Sequence, residues 1–279
     1  MMKFAVLGHP IKHSLSPAMH TASFNSIGFA GSYEKLDVPP ETLMERLAQM
    51  GDEGFGGVNL TIPLKEVAFQ NMEQLDESAR LLGAVNTVKF TDDGMTGYCT
   101  DGYGLLKAVE EAFGETVAGK SIFFIGSGGA GRAAALSAAQ AGAKSITLSA
   151  RTEKRVLPLA KEINELNADI KVNIALTDDE KVSDCKACDL VINASPIGMH
   201  EDDESPLPPE AFREGQMVYD MIYMYPETAV MKAAAQSGAR TANGIGMLVH
   251  QGAKAFEIWS GLRANVEAMK NAVETAVYK

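Results

Sequence analysis

Short apolar runs alternate along most of the chain with segments whose apolar positions recur every three or four residues, which predicts strands and helices in turn. Lys3 to Leu7 reads as a first strand ending at Gly8, and a second lies around Tyr33 to Val38. A helix follows from Pro40 to Met50, ended by Gly51. In Val58 to Ile62 the alternation puts Val58, Leu60 and Ile62 on one face and Asn59 and Thr61 on the other. Pro63 opens another helix, and helical periodicity returns from Met72 to Leu82. Asn86 to Thr91 and Met95 to Thr100 flank Asp92, Asp93 and Gly94, the signature of a hairpin, and a helix from Tyr103 to Phe113 comes next. The alternation then restarts with a strand from Ile122 to Ile125 and a helix from Ala130 to Gln140. Strands follow at Ser145 to Ser149, Lys171 to Ala175, Asp189 to Ala194 and Gln216 to Asp220, then a helix from Thr228 to Ser237. In the next helix Met247, Leu248, Ala253, Phe256 and Trp259 fall at core spacing, with Gln251 the polar exception, and a last helix runs from Arg263 to Val277. The fold class is α/β in two domains, with a boundary near Asp101 where the pattern restarts; 279 residues suffice for two domains of ~100 to 200 residues each.

The segment from Ser121 to Ala135 organises the second domain. Gly126, Gly128 and Gly131 fit G-x-G-x-x-G between a buried strand and a helix, with Ser127, Gly129 and Ala130 completing the turn. Gly126 permits the sharp turn, Gly128 leaves room for a pyrophosphate, and Gly131 lets helix and strand pack closely. The helix N-terminus turns free N–H groups toward phosphates. The plainer alternative is a tight βα turn without a ligand. An NAD-selective site usually carries an acid about 20 residues past the glycines. Here the next strand ends in Ala150, Arg151 and Thr152, followed by Lys154 and Arg155, a basic cluster suited to a 2′-phosphate and so to NADP. Ser195 sits in a turn, Asn193 to Met199, at the strand edge where open α/β sheets bind ligands.

Composition narrows the partners. A net charge of −11 argues against nucleic acid, and no apolar run reaches the ~18 residues needed to span a membrane. The N-terminus reads as a strand and not as a signal peptide. Three cysteines argue for a reducing, cytoplasmic setting; Cys185 and Cys188 form C-x-x-C but lack a second ligand pair for a metal. Ser16 precedes Pro17 as an N-cap precedes a proline at the first helical position, so Ser14 and Ser16 present two hydroxyls at a helix start, either as an anion or polyol site or as a cap and a loop serine. Lys65, in the first turn after Pro63, opposes the helix dipole and lacks a local structural reason. Asp101 is open to two readings, a helix cap or a functional carboxylate.

Seven motifs in register carry a resemblance over nearly the full length. They are Ser-Leu-Ser-Pro (14 to 17), Asn-x-Thr-x-Pro-x-Lys (59 to 65), Gly-Ala-Val-Asn-Thr (83 to 87), Thr-Asp-Gly (100 to 102), the glycine turn, Asn-Ala-Ser-Pro-x-Gly-Met (193 to 199) and Asn-Gly-x-Gly-Met-Leu-Val-x-Gln (243 to 251). In these the chain resembles the shikimate dehydrogenase family. The resemblance implies a substrate-binding domain of residues 1–101 completed by 238–279, and a Rossmann NADP domain of residues 102–237. It assigns Ser14, Ser16 and Tyr223 to the substrate carboxylate, and Thr61, Asn86 and Gln251, with Asn59 nearby, to the ring hydroxyls. Lys65 and Asp101 fall to the reacting oxygen, and Met221, Gly244 and Met247 to the nicotinamide end. It implies NADPH-dependent reduction of 3-dehydroshikimate to shikimate without a metal, in a monomer or homodimer; the quinate/shikimate dehydrogenases, which often accept NAD, and a non-catalytic NADP-binding relative are the alternatives. The chain departs from the family's usual residues at Cys99 and Ala150, where Asn is commoner, and at Tyr223 to Pro226, where Tyr-Asn-Pro is.

Overall fold

The computed structural model describes residues 1–278, with the side chain of Arg155 outside the description, and divides the chain into two units. The first comprises residues 1–104 and 248–277, the second residues 105–247 and Tyr278. The chain therefore changes unit inside two helices, after residues 104 and 247 where the expected boundaries were 101 and 237.

The first unit contains β1 (Met2–Gly8), α1 (Ser16–Ser26), β2 (Gly31–Asp37), α2 (Leu43–Asp52), β3 (Phe55–Leu60), α3 (Leu64–Asn71), β4 (Gln74–Leu75), α4 (Glu77–Leu82), β5 (Thr87–Thr91) and β6 (Gly94–Tyr98). α5 (Asp101–Phe113) begins in it. Its sheet has the order β2-β1-β3-β5-β6-β4; β1, β2 and β3 pair in parallel, whereas the β5–β6 hairpin joins β3 antiparallel. An aromatic cluster forms the core, with Trp259 stacked on Phe4 at 4.9 Å and donating its indole N–H to Val88 O at 2.9 Å. Gly57 is obligatory beneath that indole, because a Cβ there would lie 2.2 Å from the ring.

The second unit contains β7 (Ser121–Ile125), α6 (Gly129–Gln140), β8 (Ser145–Ser149), α7 (Leu157–Leu166), β9 (Lys171–Ala175), α8 (Asp178–Ala187), β10 (Leu190–Asn193), β11 (Met217–Asp220), α9 (Ala229–Gln236) and β12 (Arg240–Ala242). Its sheet, β12-β11-β10-β7-β8-β9, is parallel throughout, and the strand order reverses between β7 and β10. That reversal is the switch point at which doubly wound sheets take ligands at the carboxyl ends of their strands. α10 (Ile245–Ser260) returns the chain to the first unit, where α11 (Val266–Val277) packs on α1 and Asn265 N–H bonds Ser23 Oγ.

Several elements differ from the sequence expectations for identifiable reasons. β3 ends at Leu60, short of Pro63, which has no N–H for a ladder, so Ile62 leaves the alternation and is 77% exposed. The helix expected over Met72 to Leu82 is interrupted: Gln74 and Leu75 pair with β6, and Asp76 then caps α4 by accepting from Ser78 N–H at 2.9 Å. The helix expected from Pro40 divides into a short 3-10 turn and α2, which runs through Gly51. In α10 Val249, Ala255, Phe256 and Trp259 are buried, while Met247, Leu248 and Ala253 are only half-buried, so the core face lies to one side of the expected one. β12, α7 and α8 carried no expectation, although Thr177 and Glu180 form a capping box at the start of α8.

Candidate active site

In the first unit a set of polar side chains is bonded together around one ion pair. Lys65 stands in the first turn of α3, and its backbone is fixed by Val85 N–H bonding Lys65 O at 3.0 Å. Its ammonium donates to Asp101 Oδ2 at 2.5 Å. Asp101 opens α5, where the helix dipole favours a carboxylate, so one partner is placed with the dipole and the other against it. Burial works against the charged ammonium, but the Asp101 charge and hydrogen bond outweigh it and hold the Lys65 pKa above the ordinary lysine value. The cap reading of Asp101 gives way, since its two oxygens serve Lys65 and Asn86.

Asn86 Nδ2 donates to Asp101 Oδ1 at 2.8 Å, with Thr100 Oγ1 and Gln251 Oε1 at 2.9 and 3.3 Å. Gln251 in turn donates to Leu248 O within α10. Asn59, on β3, accepts from Tyr33 Oη–H at 2.7 Å and donates to Asn86 O and Thr87 Oγ1. Its amide hydrogens are thus engaged by protein groups, which makes Asn59 a support within the site. Thr61 is half-buried just past the strand. Ser14 Oγ accepts from Ser16 N–H at 3.3 Å, and α1 starts at Ser16 itself. Leu15 takes the N-cap position with no side-chain cap bond, so Ser16 is the first helical residue and not the cap, and Pro17 falls at the second helical position because the first turn begins one residue earlier than its proline suggests. Cys99 is buried beside the pair, Sγ 3.8 Å from Asp101 Oδ2; burial pushes its thiol up to about 12.

The second unit holds a site of opposite construction. Gly126 turns at φ +95°, and a Cβ there would lie 2.9 Å from Ser195 N on the neighbouring strand's loop. A Cβ on Gly131 would lie 2.3 Å from Gly126 O, the close helix-to-strand approach that requires glycine. Gly128 and Gly129 are different: an added Cβ would meet nothing within 4 Å. Gly128 stands at the N-cap of α6, which has no side-chain cap, and Gly128, Gly129 and Ala130 are exposed, so the first N–H groups of the helix are left without intrahelical partners at the switch point. Arg151 and Thr152 are exposed after β8, Ala150 is half-buried, and the Arg155 side chain lies outside the described residues. Ser195 Oγ is turned inward to Asn193 Oδ1 at 2.7 Å. Gly244 lies against Met221, whose carbonyl would be 2.1 Å from a Cβ, and Met247 N–H bonds Tyr219 Oη at 3.0 Å. Tyr223 is half-buried, with burial raising its phenol. It belongs to the second unit, unlike Ser14 and Ser16.

Comparison with known proteins decides the family. A family model described as the shikimate dehydrogenase substrate binding domain matches residues 6–88, and one described as the shikimate 5′-dehydrogenase C-terminal domain matches residues 244–274. Residues 121–221 match a model described as NADP oxidoreductase, coenzyme F420-dependent. The NADP-dependent shikimate dehydrogenase of Methanopyrus kandleri is 41% identical over 272 residues, covering 96% of this chain and 93% of its own. The chain belongs to the shikimate dehydrogenase family. Among solved structures, a shikimate dehydrogenase in complex with NADP+ is 38% identical with a TM-score of 0.91, over 100% of this chain and 96% of its own. The Thermus thermophilus shikimate dehydrogenase in complex with NADP(H) and shikimate is 37% identical with a TM-score of 0.87, over 99% and 100%.

Within this family fold the structure unites Lys65, Asp101, Asn86, Gln251 and Asn59 in one bonded set, and gathers the glycine turn with Ser195 in another. Sequence reasoning gave no role to Tyr33, Thr87 or Thr100, which complete the first set. Thr87 and Thr100 lie inside the quoted motifs, a signal that was present. Tyr33 carried none.

Proposed function

We propose that the protein is an NADP-dependent shikimate dehydrogenase, reducing 3-dehydroshikimate reversibly to shikimate. The observation that carries this reading is the Lys65–Asp101 pair anchored by Asn86. The glycine turn fits a dinucleotide, since Gly128 and Gly129 open onto free space at a helix N-terminus and Arg151 stands exposed where a 2′-phosphate would be met. When bound, NADPH supplies the hydride.

Lys65 supplies the proton. As the substrate's C3 carbonyl becomes an alkoxide, charge appears on its oxygen, and a cationic donor stabilises that state more than the neutral ketone. The ammonium gives one proton to the oxygen and is left as an amine; in the oxidative direction the amine takes it back. Asp101 orients the ammonium and balances its charge, while Asn86 holds Asp101. Ser14 and Ser16 at the start of α1 take the carboxylate together with Tyr223, Thr61 and Gln251 take ring hydroxyls, and Met221, Gly244 and Met247 take the nicotinamide end. The three cysteines are free, which supports a reducing, cytoplasmic setting; the enzyme acts as a monomer or homodimer, and among the described residues no helix is long and apolar enough to cross a membrane.

Initial rates with shikimate and with quinate, each with NADP and NAD, test the assignment. Shikimate with NADP is expected to be the preferred pair. Preference for quinate or for NAD would replace it with the quinate/shikimate reading.

A further inference from the structure

The hydrogen bonds behind the Lys65–Asp101 pair have only one consistent set of proton directions. Thr100 N–H can only donate, and it bonds Asn86 Oδ1 at 2.8 Å. That fixes the Asn86 amide, so Nδ2 must face Asp101 Oδ1. Asn86 O can only accept, and Asn59 Nδ2 bonds it at 3.1 Å. That fixes the Asn59 amide, so Oδ1 must face Tyr33 and the phenol must donate, at 2.7 Å. Between the two amides stands Thr87 Oγ1, which accepts from Asn59 Nδ2 at 3.0 Å and is 2.9 Å from Asn86 Oδ1. A hydroxyl has one proton, and only Asn86 Oδ1 is left to take it.

We infer that Thr87, with Tyr33 behind it, is a positioning residue for proton transfer. The sequence runs Tyr33 Oη to Asn59, Asn59 to Thr87, Thr87 to Asn86 and Asn86 to Asp101, every donor pointing toward the carboxylate. Asp101 is thereby met by donors on both oxygens, Asn86 on one and Lys65 on the other, and serves only as an acceptor. Thr87 has 0% and Asn86 1% of its surface exposed, so water does not replace a lost partner. Without the Thr87 hydroxyl, Asn86 Oδ1 would keep Thr100 N–H at 2.8 Å and the more distant Thr100 Oγ1 at 3.2 Å but lose its closer hydroxyl donor, and the amide that holds Asp101 would be held less firmly. The inference rests on the reading of Lys65 and Asp101 as the proton-transfer pair.

Thr87→Val and Thr87→Ser separate this role from packing. Valine keeps the shape and removes the hydroxyl; serine keeps the hydroxyl and removes a methyl. Packing in β5 alone favours valine over serine, whereas positioning reverses the order. For Thr87→Val, kcat for shikimate oxidation is expected to fall about tenfold, the scale for one buried hydrogen-bond partner lost, with KM for NADP unchanged, and Thr87→Ser to restore most of the loss. A folded Thr87→Val enzyme with the kcat of the parent, or one better than Thr87→Ser, overturns the inference. Should Thr87→Val not fold, Tyr33→Phe removes the first donor: a kcat lowered severalfold at unchanged KM for NADP supports the chain of donors, and an unchanged kcat overturns it. Lys65→Ala, assayed alongside, distinguishes the failures. If it keeps its turnover, the reading of the pair falls and takes this inference with it; if it loses turnover while Thr87→Val does not, only the inference falls.

Discussion

The two candidate sites are built in opposite ways. In the first unit, side chains are engaged with one another: Lys65, Asp101, Asn86, Thr87 and Asn59 form a nearly saturated set, buried around one ion pair. In the second unit the site is made by omission, with Gly128 and Gly129 leaving bare backbone and open space at the start of α6. Proton transfer needs groups held at fixed positions, whereas a pyrophosphate needs unobstructed N–H groups. Removing a group should therefore damage the first site, and adding one should damage the second.

The largest effect is expected from removing the ammonium. Lys65→Ala should lower turnover by about 10² to 10⁴, the usual worth of general acid-base catalysis, with shikimate affinity by calorimetry changed only modestly. A folded variant retaining more than about a tenth of its turnover would mean that the proton comes from another group or from water.

Adding one methyl sharpens the contrast within the glycine turn. Gly131→Ala places a Cβ 2.3 Å from Gly126 O, so the helix must shift and thermal unfolding should report a loss of roughly 1 to 3 kcal/mol. At Gly128 nothing lies within 4 Å, and alanine should leave the melting temperature in place while weakening NADP binding. If both substitutions lowered stability alike, Gly128 would be a structural glycine. A smaller effect is expected at Arg151, where Arg151→Ala should weaken selectivity for NADP over NAD by roughly 1 to 3 kcal/mol, the range for charge-assisted hydrogen bonds, with NAD turnover little changed. Equal losses for both cofactors would remove the 2′-phosphate from its role.

The second site was the more legible from sequence, because its chemistry is local. The strand, the three spaced glycines and the basic residues after β8 fall within one stretch, and β8 and β9 occupy the residues the alternation predicts. The first site draws on β2, β3, α3, β5 and α5, so its bonds span separations that periodicity does not reach. Lys65 stood out through its misfit with the helix dipole, but Tyr33 looks like any core aromatic until its phenol is seen on Asn59. The strand β4 was hidden for a related reason. Its two residues, Gln74 and Leu75, are too few to break a helical pattern, and only pairing with β6 makes them a strand.

The pH dependence of kcat for 3-dehydroshikimate reduction, in the parent enzyme and in Asp101→Asn, tests the proton-transfer pair most directly. In the parent, burial opposes the Lys65 ammonium and Asp101 outweighs it, so the acid stays protonated past the ordinary lysine range. In Asp101→Asn the burial remains without the carboxylate. Cys99 also raises the Lys65 pKa, but by less than either the Asp101 charge raises it or burial lowers it, so it does not make up the loss. The Lys65 pKa should then fall below the ordinary value, and the alkaline limb of kcat should move to lower pH along with the loss of rate. A limb that stays where it was in the parent would show that the titrating acid is not Lys65 held by Asp101.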